Sequence, residues 1–330
     1  MTQDRSQLLQ RIRQLTPATF EETCLAVFAY QAAHNPLYAH FLALLKCRVD
    51  KIERIADIPF LPISFFKSHT LQSGSWLPET EFSSSATTGQ IPSRHLVRSL
   101  DFYLENTRRG FSPFYGDPAD WCVLALLPSY LERRGSSLVA MADDWIKRSK
   151  YPQSGFFLHD FEALGECIRF CQAQKKPTLL LGVSFALLDF AADYPMDLQG
   201  VTVMETGGMK GRRREITRAE LHETLKNAFN LTQIHSEYGM TELLSQAYLS
   251  QGERFYPAPT MQVKTAEIND PFSWVPYGRP GVLNIIDLAN IDSVSFIATD
   301  DLGRVYEDGS FEVIGRLDAA ERRGCNLMVE

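Results

Sequence analysis

Short apolar runs alternate with helical patterns between residues 120 and 240, and this alternation constrains the fold more than any other feature. The runs are WCVLALL at 121–127, TLLLGV at 178–183 and VTVMETGG at 201–208. Helical spacing occurs near 136–148, 160–173, 184–194 and 213–229. Apolar strands separated by helices are typical of a mostly parallel sheet covered by helices. The sequence therefore predicts an α/β core.

The two flanks of this core have a different character. The first 50 residues carry apolar side chains at helical spacing, with a helix start signal at Thr16-Pro17. The apolar, proline-rich stretch 59–66 is predicted to be a loop pressed on the body. Beyond residue 250 short β segments prevail. We expect a helical N-terminal layer at 1–75, an α/β core at 76–250, and a β-rich subdomain with a short C-terminal tail at 251–330.

Composition excludes several classes of protein. The chain has 330 residues, a net charge of −7 and no long basic block, which argues against binding to nucleic acid or anionic lipid. Any phosphate-bearing ligand must then be met by a local site. No apolar run is long enough to predict integral membrane association. Six cysteines without CxxC spacing are typical of reduced thiols in a cytoplasmic protein.

A hydroxyl-rich segment, Ser83-Ser84-Ser85-Ala86-Thr87-Thr88-Gly89, is the strongest local motif. Its hydroxyls and backbone amides can each donate to a phosphate oxygen. The segment is not a Walker loop, because no Lys-Ser/Thr pair follows the glycine. Taken alone, the stretch favours a solvated Ser/Thr linker.

Three further motifs follow along the chain. Tyr238-Gly239-Met240-Thr241-Glu242 combines a flat aromatic ring, a glycine, a hydroxyl and a carboxylate that could hold Mg²⁺. The segment 298–303, ATDDLG, is predicted as a strand that ends in two acidic residues and a turn. The third motif is Gly315-Arg316-Leu317-Asp318. Each motif alone is also compatible with an ordinary turn or a solvated tail.

The motifs together, in this order and with Gly207-Gly208 between them, resemble the adenylate-forming enzyme superfamily. Within it the sequence is most similar to the acyl-protein synthetases of bacterial bioluminescence, the LuxE family. The segments that carry this similarity are FFKSH at 65–69, LPSYLERRGSSL at 127–138, METGGMKGR at 204–212 and the ending RRGCNL. The resemblance spans roughly residues 55–328 and implies an α/β fold like the large N-terminal lobe of these enzymes, with layered, mostly parallel sheets and a small β-rich subdomain.

The resemblance implies ATP and Mg²⁺ as cofactors and assigns a nucleotide site. The hydroxyl-rich segment would hold the β- and γ-phosphates through Ser84, Ser85, Thr87, Thr88 and Gly89. The adenine would lie close to Gly207 and Gly208 and stack on Tyr238, where Gly239 allows close approach of the backbone. Thr241 would contact the α-phosphate, Glu242 would ligate Mg²⁺, Asp301 would bind the ribose, and Arg316 would help to fix the nucleotide.

The family also implies a reaction in two halves. A carboxylic acid, in this family a fatty acid, is activated to acyl-AMP with release of pyrophosphate. The acyl group then passes to a cysteine close to the C-terminus, which here matches Cys325, and on to a partner such as an acyl reductase. Arg322 and Arg323 would lower the pKa of that thiol. CoA or a carrier protein as acceptor, and an inactive nucleotide-binding scaffold, stay open as alternatives.

The sequence departs from the family pattern at three places. No Pro-Lys follows Gly89, so positive charge at the phosphates would come from Mg²⁺ or from residues such as Lys67 or Arg94. Asp300 replaces a glycine of the ribose motif, which leaves open which aspartate meets the ribose. Only 12 residues follow Asp318, so we expect the smaller C-terminal lobe, with its catalytic lysine, to be largely missing.

A serine hydrolase is the rival class of enzyme. Gly182-Val183-Ser184-Phe185-Ala186 follows an apolar strand and opens a helix, as a nucleophile elbow does. Against this, the last position is not glycine, and the short interval to His235 leaves little room for an acid-bearing strand and loop.

Overall fold

The computed structural model describes residues 4–84, 91–127, 135–207 and 216–317. Within these ranges nine α-helices occur in chain order. They are α1 (Arg5–Arg13), α2 (Phe20–His34), α3 (Pro36–Leu44), α4 (Phe65–Ser68), α5 (Leu100–Tyr115), α6 (Ser137–Arg148), α7 (Phe161–Ala173), α8 (Ser184–Asp193) and α9 (Arg218–Phe229).

Fourteen strands are present in the same part of the chain. They are β1 (Leu61–Pro62), β2 (Thr80–Ser83), β3 (Arg94–Val97), β4 (Cys122–Leu126), β5 (Gly155–Phe156), β6 (Thr178–Val183), β7 (Val201–Thr206), β8 (His235–Tyr238), β9 (Ala247–Leu249), β10 (Tyr256–Pro257), β11 (Met261–Ala266), β12 (Pro280–Asp287), β13 (Phe296–Val305) and β14 (Phe311–Arg316).

The main sheet has seven strands in the order β10-β9-β8-β7-β6-β4-β5. Strands β5, β4, β6, β7 and β8 run parallel, whereas β9 and β10 are antiparallel to their neighbours. Every residue of β4 and β6 is buried, as expected for parallel strands with both faces covered. The predicted α/β core with a mostly parallel sheet is confirmed.

A second sheet carries the C-terminal β segments. Its strands β11, β12, β13 and β14 pair antiparallel, and the short β1 joins β13 in parallel. The predicted loop at 59–66 therefore contains a two-residue edge strand, in which Pro62 is tolerated. Helix α2 covers this sheet, and the ring of Phe28 lies edge-on to that of Phe296 at 5.9 Å between centroids.

Local signals set the helix boundaries. Thr16 and Thr19 form a capping box at a 3-10 turn that leads directly into α2, in agreement with the start signal at Thr16-Pro17. Helix α9 begins at Arg218 because Thr217 and Glu220 form a second capping box. The residues before Ile216 in the predicted helix 213–229 lie outside the described ranges.

The acidic pair does not end its strand, and in this respect the prediction is wrong. Strand β13 continues through Asp300 and Asp301 to Val305. It continues because β12 and β14 pair with this half on its two sides, where Val282 and Gly315 both lie opposite Leu302. Asp301 thereby gains a fixed position in a sheet instead of a place in a turn.

Candidate active site

The predicted site residues that the structure describes meet at one edge of the main sheet. Strand β7 ends at Thr206 and is followed by Gly207, while the neighbouring β8 ends at Tyr238. Ligands of open parallel sheets bind in the crevice at the carboxyl ends of the strands. Gly207 has φ of +68°, a backbone conformation that favours glycine. Ser85, Thr87, Thr88, Gly89, Gly208 and Cys325 lie outside the described residues.

Ser84 and Glu242, which come from different motifs, are linked through Ser93. The backbone N–H of Ser93 donates to the Ser84 hydroxyl oxygen at 2.8 Å, and the N–H of Ser84 donates to the Ser93 carbonyl at 3.0 Å. The Ser93 side chain in turn hydrogen-bonds the Glu242 carboxylate. Ser93 is buried. The structure thus brings the base of the hydroxyl-rich segment against the predicted metal ligand.

Glu242 is a buried carboxylate in a positive field. Its side chain is buried, and this burial raises its pKa, while the Ser93 hydrogen bond and the nearby charges of Arg316 and Lys67 oppose the rise. No cluster of three or more metal-ligating side chains occurs among the described residues. A single carboxylate fits Mg²⁺, which commonly binds through one or two carboxylates together with substrate phosphates and water.

Tyr238, Asp301 and Arg316 form a second polar group beside Glu242. The Tyr238 hydroxyl donates to Asp301 Oδ2 at 2.7 Å, and Arg316 Nε lies 3.9 Å from Asp301 Oδ1. Asp301 and Arg316 face each other because they are register partners in β13 and β14. The Tyr238 ring packs against Phe255 and Phe311, at centroid distances of 5.8 Å and 5.4 Å. Asp301 is thus the aspartate whose carboxylate meets Tyr238.

Lys67 and Arg94 are the two candidates to replace the lysine that the hydroxyl-rich segment lacks. Their contacts in the structure differ. Arg94 donates to both carboxylate oxygens of Glu81, at 2.9 Å and 2.7 Å, across the β2–β3 pair. Lys67 lies on α4, is exposed, and acts on the Glu242 carboxylate through its charge. Lys67 is therefore the better candidate for a phosphate contact.

A buried polar layer lies beneath this edge, and sequence reasoning missed it. Glu237 is buried, and its burial raises its pKa to about 7. The Thr206 hydroxyl donates to its carboxylate, and a side chain at position 239 would collide with the other carboxylate oxygen. A larger residue at position 239 would therefore force the Glu237 carboxylate to shift. The only sequence signal was a carboxylate directly before the Tyr238 motif.

The contacts of Ser184 argue against the hydrolase alternative. Its hydroxyl lies 2.5 Å from the Gly207 carbonyl oxygen and 3.0 Å from Glu205 Oε2, and the residue is buried. His235 instead has its Nδ1 3.0 Å from the Tyr115 hydroxyl. The serine–histidine pair that a hydrolase needs is therefore not formed by these two residues, and Ser184 supports the turn at Gly207.

The folds of solved proteins define the class to which this architecture belongs. The chain is similar to 2-hydroxyisobutyryl-CoA ligase in the postadenylation state (TM-score 0.67, 12% identity, 94% of this chain and 70% of that chain). It is also similar to ATP-bound MatB from Rhodopseudomonas palustris (TM-score 0.54, 16% identity, 73% of this chain and 49% of that chain). The fold is that of the large lobe of adenylate-forming ligases.

Sequence comparison narrows the class to one family. The family described as Acyl-protein synthetase, LuxE, matches residues 159–330, just over half of the chain, and the chain belongs to this family. It is 24% identical over 188 residues to a long-chain-fatty-acid–luciferin-component ligase of Aliivibrio fischeri. That match covers 51% of this chain and 49% of the relative, so it spans about half of the relative's length.

Among the residues that the structure describes, no helix combines the length and the apolar character needed to cross a bilayer.

Proposed function

We propose that the protein activates a carboxylic acid by ATP-dependent adenylation, with release of pyrophosphate. The observation that carries the proposal is the Ser84–Ser93–Glu242 connection beside Tyr238, Asp301 and Arg316. These contacts place hydroxyls, a carboxylate, an aromatic ring and cations together at the carboxyl edge of the sheet, and these are the groups that bind a nucleoside triphosphate. Membership of the LuxE family and the ligase fold support the same reading.

In the proposed reaction, a carboxylate oxygen of the acid attacks the α-phosphorus of ATP. The bond from this phosphorus to the bridging oxygen of pyrophosphate breaks, and the oxygen leaves with that electron pair. Lys67 and Arg316 would offset the negative charge, and Thr241 would contact the α-phosphate. Mg²⁺ held by Glu242 would neutralise phosphate charge. The main contributions of the protein are orientation and electrostatic stabilisation.

Asp301 and Tyr238 would hold the nucleoside. The Asp301 carboxylate accepts from Tyr238 and lies near Arg316, and it retains lone pairs for the ribose hydroxyls. In this arrangement the adenine would stack on one face of the Tyr238 ring, since Phe255 and Phe311 already pack against other parts of this ring. Gly207 would let the base approach the backbone.

For the second half-reaction we propose Cys325 as acyl acceptor. Its thiolate would attack the carbonyl carbon of the acyl-AMP, form a thioester and release AMP, and the acyl group would then pass to a partner such as an acyl reductase. A fatty acid is the proposed substrate, since the Aliivibrio fischeri relative is named as a long-chain-fatty-acid ligase. The five described cysteines are free thiols, which supports a cytoplasmic location.

CoA is the second candidate acceptor. The observation that favours it is the fold similarity to 2-hydroxyisobutyryl-CoA ligase. With CoA as acceptor, AMP release would depend on added CoA and would survive removal of the Cys325 thiol.

Acid-dependent ATP–pyrophosphate exchange tests the proposed function. A panel of short, medium and long-chain fatty acids and aromatic acids would be compared with a no-acid control and with Glu242→Gln. We expect exchange that depends on both the acid and Mg²⁺ and that falls sharply in the variant. No exchange with any acid, in a protein that binds ATP, would favour the inactive scaffold and contradict the proposal.

A further inference from the structure

The segment that carries Thr241 and Glu242 is irregular and yet buried. It connects β8 to β9, and the side chains of Glu242, Leu243, Leu244, Ser245 and Gln246 are all at most 7% exposed. Buried backbone N–H and C=O groups outside helices and sheets need other partners, because an unpaired buried group loses the hydrogen bonds it makes to water. The conformation of this segment therefore depends on side chains that reach it from elsewhere.

Four buried side chains from other elements supply these partners. The contacts are Asn106 Nδ2 to the Leu244 carbonyl at 2.9 Å, Asn290 Nδ2 to the Glu242 carbonyl at 2.7 Å, Asp287 Oδ2 to the N–H groups of Leu244 and Ser245 at 2.7 Å and 2.9 Å, and His95 Nδ1 to the Thr241 carbonyl at 2.8 Å. The backbone of the segment from Thr241 to Ser245 is thus held from α5, from β3, from the end of β12 and from the 3-10 turn that follows β12.

The geometry fixes the tautomer of His95. A carbonyl oxygen only accepts, so Nδ1 carries the hydrogen that is donated to Thr241. The Ser293 hydroxyl, 3.0 Å from Nε2, then donates to this second ring nitrogen. Burial lowers the pKa of His95 to about 4, which keeps the ring neutral and preserves this arrangement at neutral pH.

His95 lies between two parts of the proposed nucleotide site, the base of the hydroxyl-rich segment and the Tyr238 motif. His95 lies on β3 opposite Phe82 of β2, and these two strands flank the hydroxyl-rich segment. Ser293, which orients the ring, is held in turn by the N-terminal part of the chain, where Asn35 Nδ2 and the Ser73 hydroxyl donate to its carbonyl at 2.8 Å and 2.6 Å. The imidazole therefore connects the base of the hydroxyl-rich segment to the Thr241 backbone.

We propose that His95 is a positioning residue, whose Nδ1–H holds the Thr241 carbonyl so that Glu242 stays in register with Ser84 and Ser93. This inference rests on the proposed function, because only the proposed adenylation reaction requires Glu242 to bind a metal ion. His95 does not touch the nucleotide in this scheme. It acts through the backbone of residues 241–242.

Substitution of His95 by asparagine or by glutamine tests the roles of the two ring nitrogens one at a time. In His95→Asn the side-chain amide nitrogen can take the place of Nδ1, whereas in His95→Gln it reaches the place of Nε2 and the Thr241 carbonyl loses its donor. Binding of ATP by the full-length protein would be measured with Mn²⁺, which shares the oxygen-ligand preference of Mg²⁺, and in EDTA. Hydrogen exchange at Leu244 and Ser245 and the melting temperature complete the comparison.

We expect His95→Gln to weaken Mn²⁺-dependent ATP binding about tenfold, because one buried acceptor is left unpaired. Hydrogen exchange at the backbone N–H groups of Leu244 and Ser245 should become faster for the same reason. Metal-free ATP binding should stay within about twofold, and His95→Asn should stay within about threefold of the wild type in every assay. Equal behaviour of the two variants, or equal losses with and without metal, would overturn the inference. A wild-type protein that binds ATP no tighter with Mn²⁺ contradicts the proposed function itself, and the role of His95 with it.

Discussion

The hydroxyl of Tyr238 donates a hydrogen bond of 2.7 Å to Asp301 Oδ2, across 63 positions of sequence. The bond joins the last residue of a strand in the main sheet to the middle of a strand in the second sheet. It fixes the aspartate proposed to hold the ribose and the ring proposed to stack on adenine in one unit. The proposed nucleoside site therefore depends on the contact between the two sheets.

Removal of this hydroxyl should weaken nucleotide binding. Tyr238→Phe leaves the half-buried Asp301 carboxylate without its donor, at a cost of about 1–3 kcal/mol, so we expect the KM for ATP to rise about tenfold with a smaller change in kcat. Tyr248→Phe is the matched control, because the buried Tyr248 hydroxyl has no hydrogen-bond partner among the described residues. Equal effects of the two substitutions would remove Tyr238 from the site.

Neutralisation of Glu242 should raise the metal requirement. In Glu242→Gln the amide keeps the shape of the side chain but loses its charge, so we expect the Mg²⁺ concentration for half-maximal pyrophosphate exchange to rise about tenfold. Glu166→Gln, at an exposed site on α7, serves as control. An unchanged Mg²⁺ titration for the Glu242 variant would show that this carboxylate does not hold the metal.

Lys67 and Arg94 should differ in their effect on ATP. Lys67→Met removes the cation that acts on Glu242, and we expect the KM for ATP to rise at least about tenfold, in line with a charge-assisted phosphate contact of about 1.5–3 kcal/mol. Arg94→Met should change it by less than about twofold, because Arg94 is engaged with Glu81. The reverse ranking in steady-state kinetics would assign the phosphate charge to Arg94.

The buried Glu237 should make folding stability depend on pH. Its pKa is about 7 in the folded protein against 4.5 for the exposed group, so the native state binds the proton more tightly. Stability is then fully present below pH 4.5 and is lost as pH rises to about 7, by on the order of 3 kcal/mol.

Glu237→Gln mimics the protonated carboxyl and tests this dependence. We expect the variant to unfold at a higher denaturant concentration than the wild type at pH 8, with a much smaller difference at pH 5. Chemical denaturation at the two pH values gives the comparison. An identical difference at both pH values would mean that Glu237 is ionised throughout the range.

Removal of the Cys325 thiol should divide the two half-reactions. Cys325→Ser should retain acid-dependent pyrophosphate exchange and lose stable labelling of the protein by radioactive acid, since a serine hydroxyl is a much weaker nucleophile than a thiolate. Cys47→Ser, at a half-buried thiol, is the control. Loss of both activities, or labelling that survives, would contradict this division.

The strands of the core were predictable because burial on both faces gives them continuous apolar runs. The runs at 121–127, 178–183 and 201–208 correspond to Cys122–Leu126, Thr178–Val183 and Val201–Thr206. The extent of β13 was not predictable in the same way. Its acidic residues read as a turn, and only pairing with β12 and β14 extends the strand through them.

The site was predictable as motifs but not as contacts. The residue types of the Tyr238 motif indicate their chemistry by themselves, whereas the bond from His95 to Thr241 spans 146 positions and has no local signal. Glu237 was missed because a carboxylate in a short strand is ordinarily a surface residue. Its position opposite Thr206 follows from the pairing of β8 with β7, which no local pattern reveals.

The most direct test of the account is identification of the product formed from ATP and a fatty acid by the Cys325→Ser variant. Mass spectrometry after a single turnover, with pyrophosphate measured in parallel, would distinguish activation of the acid as acyl-AMP from activation as acyl phosphate. We predict acyl-AMP and pyrophosphate in equal amounts. ADP together with an acyl phosphate, or ADP together with inorganic phosphate, would contradict adenylation as the reaction of this protein.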